Sequence, residues 1–138
     1  MFVVLDTNVL VSALWSSQSK PAAIVSASIT GRFKLCYDYR LLEEYTAVLH
    51  RSKFGFKNWQ TNWLLDYLTS TGISVIADPL PDVPFIDESD RKFYEAAKFC
   101  NASLITGNMK HYPEDSCVMT VADFFSRYFE ASNSPRRQ

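Results

Sequence analysis

The stretch Phe2-Val3-Val4-Leu5-Asp6-Thr7-Asn8 sets four apolar residues directly before three that carry side-chain oxygen. The apolar run is continuous rather than alternating, as in a strand covered on both faces of a parallel sheet. An acid that ends such a strand lands at the carboxyl edge of the sheet, where open α/β folds form their binding crevice. The same order recurs in Ser103-Leu104-Ile105-Thr106-Gly107-Asn108.

Outward from these two runs the chain alternates strand and helix signals. Asn8 to Trp15 reads as a helix. Pro21 to Thr30 reads as a second helix, with a first-turn proline and a stop at Gly31. Phe33 to Tyr37 predicts a short strand, and Leu41, Leu42, Tyr45, Val48 and Leu49 follow with helical spacing. After a break at Phe54-Gly55-Phe56-Lys57, the spacing of Trp59, Trp63, Leu64, Tyr67 and Leu68 predicts a helix closed by Gly72. Ile73 to Ala77 reads as a strand and Asp78 to Pro84, with its three prolines, as a loop. A helix from Asp87 or Glu88 to about Cys100 turns Phe93, Ala96, Ala97 and Cys100 inward. Cys117 to Met119 is a strand, and Thr120 caps a last helix, Val121 to Phe129. This alternation predicts a three-layer α/β/α sandwich around a mostly parallel sheet. It forms one domain over residues 1–131, and the polar segment 132–138 reads as a flexible tail.

Composition narrows the function classes. A chain of 138 residues is long enough for one proper core. Its net charge of −1 does not mark a global nucleic-acid binder, so any basic surface must be local. Cys36, Cys100 and Cys117 have no paired spacing, which argues against a disulfide scaffold or structural zinc. No secretory leader is read after Met1, and no run approaches the roughly 18 apolar residues of a membrane span. A reduced, cytoplasmic protein is expected.

Four stretches bring oxygen donors to places where they could converge: Leu5-Asp6-Thr7-Asn8, Glu43-Glu44-Tyr45, Asp87-Glu88-Ser89-Asp90 and Thr106-Gly107-Asn108. Gathered carboxylates repel unless a cation lies among them, and hard oxygen donors select magnesium or manganese. Each has an ordinary explanation as well. Asp6 could simply cap a helix, as could Asp87, and Asp90 suits a first turn. Glu44 flanks the apolar stripe of its helix beside Val48, while Glu43 points nearly opposite; spacing alone favours a surface role for either. A turn explains Asn108 as well as a site does. Only the order and position of all four together point to metal-dependent chemistry on phosphate esters.

Together these stretches resemble the PIN-domain ribonucleases. Val3-Val4-Leu5-Asp6-Thr7-Asn8-Val9-Leu10 is similar to the family's opening. Glu44-Tyr45 with Val48-Leu49, Arg51, Lys53 and Phe54 resembles its second motif. Asp87 to Asp90 before Phe93 and Ala96-Ala97, then Ala102 and Leu104 to Asn108, resemble the third and fourth. The likeness spans about Phe2 to Phe125 and is nearest to the toxin components of prokaryotic toxin–antitoxin pairs. It implies cleavage of single-stranded RNA with Mg2+ or Mn2+, and a small antitoxin partner. Carried over by position, Asp6, Glu44 and Asp90 are the catalytic acids and metal ligands, with Asn108 at the fourth place. Many PIN domains have Asp there; an amide offers one neutral oxygen and should weaken cation affinity. Asp87 could restore part of that charge, and Thr7 and Asn8 could support a ligand or a phosphate.

Basic candidates for the RNA chain are Lys20, Arg40, Arg51, Lys53, Lys57, Lys110 and His111, with Lys110 and His111 placed at the crevice rim by their nearness to Asn108. Trp59 and Trp63 share a helix face, for which core packing is the default reading; the many aromatics could also serve a homodimer or antitoxin surface. Two rivals stand beside the ribonuclease. One is a degenerate PIN domain that binds RNA or a protein without cutting. The other is an aspartate-nucleophile phosphohydrolase, which usually wants a second Asp where this chain has Asn8.

Overall fold

The computed structural model describes residues 1–130. Five short strands form one all-parallel sheet: β1 (Phe2–Leu5), β2 (Lys34–Tyr37), β3 (Ile73–Ser74), β4 (Ser103–Ile105) and β5 (Val118–Met119), in the order β3-β2-β1-β4-β5. The register pairs Val3 with Leu35 on one side and with Ser103 on the other, and carries on through Leu5 to Ile105. Val3, Val4 and Leu5 are fully buried, which accounts for the unbroken apolar run.

Six α-helices join these strands among the described residues: α1 (Thr7–Trp15), α2 (Lys20–Ile29), α3 (Tyr39–Leu49), α4 (Asn58–Thr71), α5 (Arg91–Cys100) and α6 (Val121–Phe125). The connections β1 to β2 to β3 step toward one edge, and β3 to β4 to β5 step back past β1 toward the other. Right-handed crossovers place the helices of these two sets on opposite faces. Accordingly α5 packs on β1, β2 and β4, while α1 packs on α2 and α3 packs on α4. The order reverses between β1 and β4, so the crevice of this sheet opens beyond Leu5 and Ile105.

Several boundaries differ from the sequence expectation, each for a local reason. The third strand ends at Ser74 rather than Ala77; Val75 still donates to the Tyr37 carbonyl, after which the proline-rich loop leaves the sheet edge and Ile76 faces solvent. The 87–100 helix begins as a 3-10 turn, Glu88–Asp90, before α5. The last α-helix gives way at Ser126 to a wider turn, Ser126–Glu130. Core packing does not hold for Trp59 and Trp63, which lie on the exposed side of α4 beside a shallow apolar groove shared with α1 and α2. The buried positions of α4 are instead Thr61, Leu64, Leu65 and Leu68. The expected tail, residues 132–138, lies outside the described residues.

Candidate active site

Asp6 follows β1 and occupies the N-cap position of α1, yet its side chain makes no capping bond. Its carboxylate turns into the sheet crevice instead and is only 9% exposed. Two hydroxyls hold it: Thr106 Oγ1 donates to Oδ2 at 2.8 Å and the Tyr112 phenol at 3.2 Å. Thr106 lies just past β4, and the β1–β4 pairing brings it beside Asp6; the Asp6 backbone N–H donates to the Ile105 carbonyl at 3.0 Å. Burial pushes the Asp6 carboxyl above its usual range, the three hydrogen bonds from Thr106, Tyr112 and the Thr7 backbone oppose this, and the Glu44 charge adds to it.

Glu44 enters from α3. It is partly buried, unlike Glu43, and it accepts from the Thr7 hydroxyl. Its other oxygen meets the Lys92 ammonium at 2.8 Å. The next residue, Tyr45, is fully buried and donates to the Leu5 carbonyl, which fixes α3 against the end of β1.

Asp87 and Asp90 divide the two roles the sequence left open. Asp87 caps the 3-10 turn, accepting from the Ser89 backbone N–H at 2.9 Å and its hydroxyl at 2.8 Å, and these bonds lower its pKa. Asp90 occupies the N-cap of α5 without capping it. It is bonded to His111 Nδ1 at 3.1 Å, and burial, then the charges of Asp6 and Asp87, raise its pKa. The Asp6 charge therefore reaches Asp90 across the cleft that both line.

Asp6, Thr7, Glu44, Asp87 and Asp90 line one polar cleft of about 310 Å³, together with Asn8, Val48, Arg51, Lys53, Phe54, Ser89, Asn108 and His111. Of the predicted residues, Asp6, Thr7, Asn8, Glu44, Asp87, Asp90 and Asn108 all reach it, as do Arg51, Lys53 and His111. Lys110 does not; it is exposed outside the lining. Arg40 is committed elsewhere, bridging Asp38 at 2.6 Å and Glu95 at 2.8 Å, and Lys20 lies over the Phe125 ring. Three contributors were not assigned from sequence. Thr106 reads in sequence as the end of a strand beside Asn108, whose own backbone N–H donates to the Thr106 hydroxyl at 3.0 Å. Tyr112 and Lys92 carried no spacing signal, because their partners come from other elements.

Oxygen donors, which suit a hard divalent cation, dominate the cleft. Among the described residues no group of three or more acidic, histidine or cysteine side chains is placed to hold a metal ion. Glu44 is paired with Lys92 and Asp90 with His111, whereas no cationic side chain pairs with Asp6 among the described residues. A hydrated divalent ion held by one or two carboxylates would need no larger group, and Asp6 and Asp90, which line the same cleft, are the acids that could hold it. Among the described residues no helix is long and apolar enough to cross a membrane.

A family model described as PIN domain matches residues 2–110, most of the chain and all of the cleft's acids. Neither the curated proteins nor the solved structures give a match.

Proposed function

The chain belongs to the PIN-domain family, whose members are generally nucleases and typically use divalent metal ions, and on that footing we propose that it is an endoribonuclease that cuts single-stranded RNA with Mg2+ or Mn2+. We further read it as the toxin of a toxin–antitoxin pair, neutralised by a small protein; this part follows from the resemblance of its motifs alone. One observation carries the enzymatic reading: Asp6 gives up the capping bond its position offers and is aimed, with Asp90, into a shared cleft.

A bound cation would lower the pKa of an attacking water and offset charge growing on the phosphate. The chain's residues supply the rest. The Thr106 and Tyr112 hydroxyls fix the direction of the Asp6 carboxylate. Thr7 and Lys92 clamp both oxygens of Glu44, leaving it to act on the site through its charge. His111 steadies Asp90, and the Asn108 amide at the rim can orient a water. Arg51 and Lys53 flank the cleft as phosphate partners.

The test is cleavage of a mixed-sequence RNA over a manganese titration. Asp6→Asn and Asp90→Asn should each lower the rate at least about 100-fold, the upper end of what losing a mere supporting partner costs. Full activity in both variants would refute the scheme. A degenerate, non-cutting PIN domain is the second reading, favoured by Asn108 and by the Lys92 and His111 side chains already seated on Glu44 and Asp90. It predicts RNA binding with no cleavage at any manganese concentration.

A further inference from the structure

The segment Arg51-Ser52-Lys53-Phe54-Gly55-Phe56-Lys57 interleaves three basic residues with two aromatic ones around a glycine. Gly55 sits at φ +66°, a left-handed turn that a side chain would strain. That turn folds the two rings back on each other: Phe54 and Phe56 are stacked, with centroids 5.7 Å apart and planes within 17°. Trp15, at the far end of α1, meets both rings edge-on, at 5.7 Å and 6.2 Å. It nonetheless remains 64% exposed. Lys53 lies 5.1 Å from the centre of the Phe54 ring. Among the described residues no acid pairs with Arg51, Lys53 or Lys57.

Phe54 belongs to this cluster and also lines the acidic cleft with Arg51 and Lys53, so the two features are one continuous surface. α1 spans it, carrying Thr7 at the cleft and Trp15 about 12 Å further along its axis. An occupant that suits both must bring an anionic group to the basic flank and, a short distance away, a flat apolar ring to the aromatic cluster. A nucleotide with its base unpaired has both. A base inside a duplex is already stacked and cannot present its face. An apolar peptide would meet the rings but leave the three cations without purpose.

We propose that Trp15, Phe54 and Phe56 form a base-stacking subsite that takes one unpaired nucleobase of a strand whose phosphate lies against Arg51 and Lys53. This rests on the nuclease reading only in taking the cleft as the place of the phosphodiester. Base–aromatic stacking tolerates any base, so the subsite selects for single-strandedness rather than sequence.

The experiment compares two hexanucleotides of equal charge, a thymidylate hexamer and one with abasic sugars at every position. Binding is followed by anisotropy of an end label, in EDTA and again with calcium, and a gel checks that the oligomers stay whole. Wild type should bind the base-bearing hexamer on the order of ten-fold more tightly, and Trp15→Ala and Phe54→Leu should erase that preference. Trp15→Phe should keep most of it, which a mere loss of folding could not explain, and melting curves will show that the variants fold. Equal binding of the two hexamers by wild type under both conditions, or no binding of either, overturns the proposal. So does retention of the preference in both variants. If Trp15→Ala instead changes only the elution volume of the protein, the face is a protein interface and the base subsite is wrong. Base preference without RNA cleavage would sink the nuclease reading and leave the subsite standing.

Discussion

Asp6 sets the energetics of the cleft residue by residue. Burial raises its carboxyl above the ordinary value of 3.8, so the folded state prefers it protonated. Stability from that source is full below 3.8 and is lost as pH rises through the folded-state value. At pH 7 the burial of this carboxyl therefore weighs against folding, and that of Asp90 does so too, in part offset by His111. Asp6→Asn keeps an oxygen for Thr106 and Tyr112 while removing the charge, so it should raise the melting temperature in EDTA at pH 7. Each kcal/mol relieved moves the midpoint by roughly 3–5 °C in a domain of this size. The gap should close as the pH approaches 3.8, where the wild-type acid is neutralised. A lower melting point for the variant at pH 7 would mean that its hydrogen bonds, not its desolvation, dominate. At this scale the sequence reveals which acids exist but not what they touch. The hydroxyls that hold Asp6 come from residues 100 and 106 positions away, and no periodicity encodes that distance.

Among elements, the strands and their alternation with helices are the legible part, because two-face burial leaves a continuous apolar signature in Val3, Val4 and Leu5. The sheet edge is less so. Gly72 reads as a helix stop, and it is one, but not through left-handed backbone: its φ of −81° and ψ of 179° are open to any residue. It is required by close approach, since a Cβ there would lie 2.5 Å from the Leu68 carbonyl oxygen and 2.8 Å from that of Leu35. Gly72→Ala should thus cost about 1–3 kcal/mol, as overpacking against backbone does, seen as a lower urea midpoint with an unchanged slope. A second tie joins α5 to the approach to β5. Asp115 accepts from Tyr94 at 2.7 Å, Lys98 at 2.9 Å and the Cys117 backbone at 3.0 Å, which lowers its pKa well below 3.8. A lowered carboxylate stabilises fully above the unfolded value and loses that effect as pH falls through the folded one. Asp115→Ala should cost about 2 kcal/mol at pH 7, and the difference from wild type should shrink as pH drops below 3.8. A constant difference down the acid range would assign the effect to packing alone.

The whole molecule carries a net charge of −1, and its cleft is acidic, so no overall field draws a polyanion in. Attraction must come from local groups, and the geometry names three: Arg51 and Lys53 at the cleft and Lys57 beyond Phe56. Lys20 and Arg40, equally basic in the sequence, are occupied by Phe125 and by the Asp38–Glu95 pair. That division is not legible in composition, because it depends on which cations the fold engages away from the cleft. It fixes the ionic-strength dependence of binding. Each phosphate neutralised on a single strand contributes about −0.7 to the slope of log affinity against log salt, so three contacts give about −2. Titrating a short single-stranded oligonucleotide across a range of monovalent salt, with calcium held constant, should return that slope. Arg51→Ala should flatten it by about 0.7 while weakening all sequences alike. A slope near −5 would require cations from well outside the cleft and would place the strand on a different face. A slope near zero would mean that phosphate is not what this cleft holds, and the acids would then need another partner for their charge.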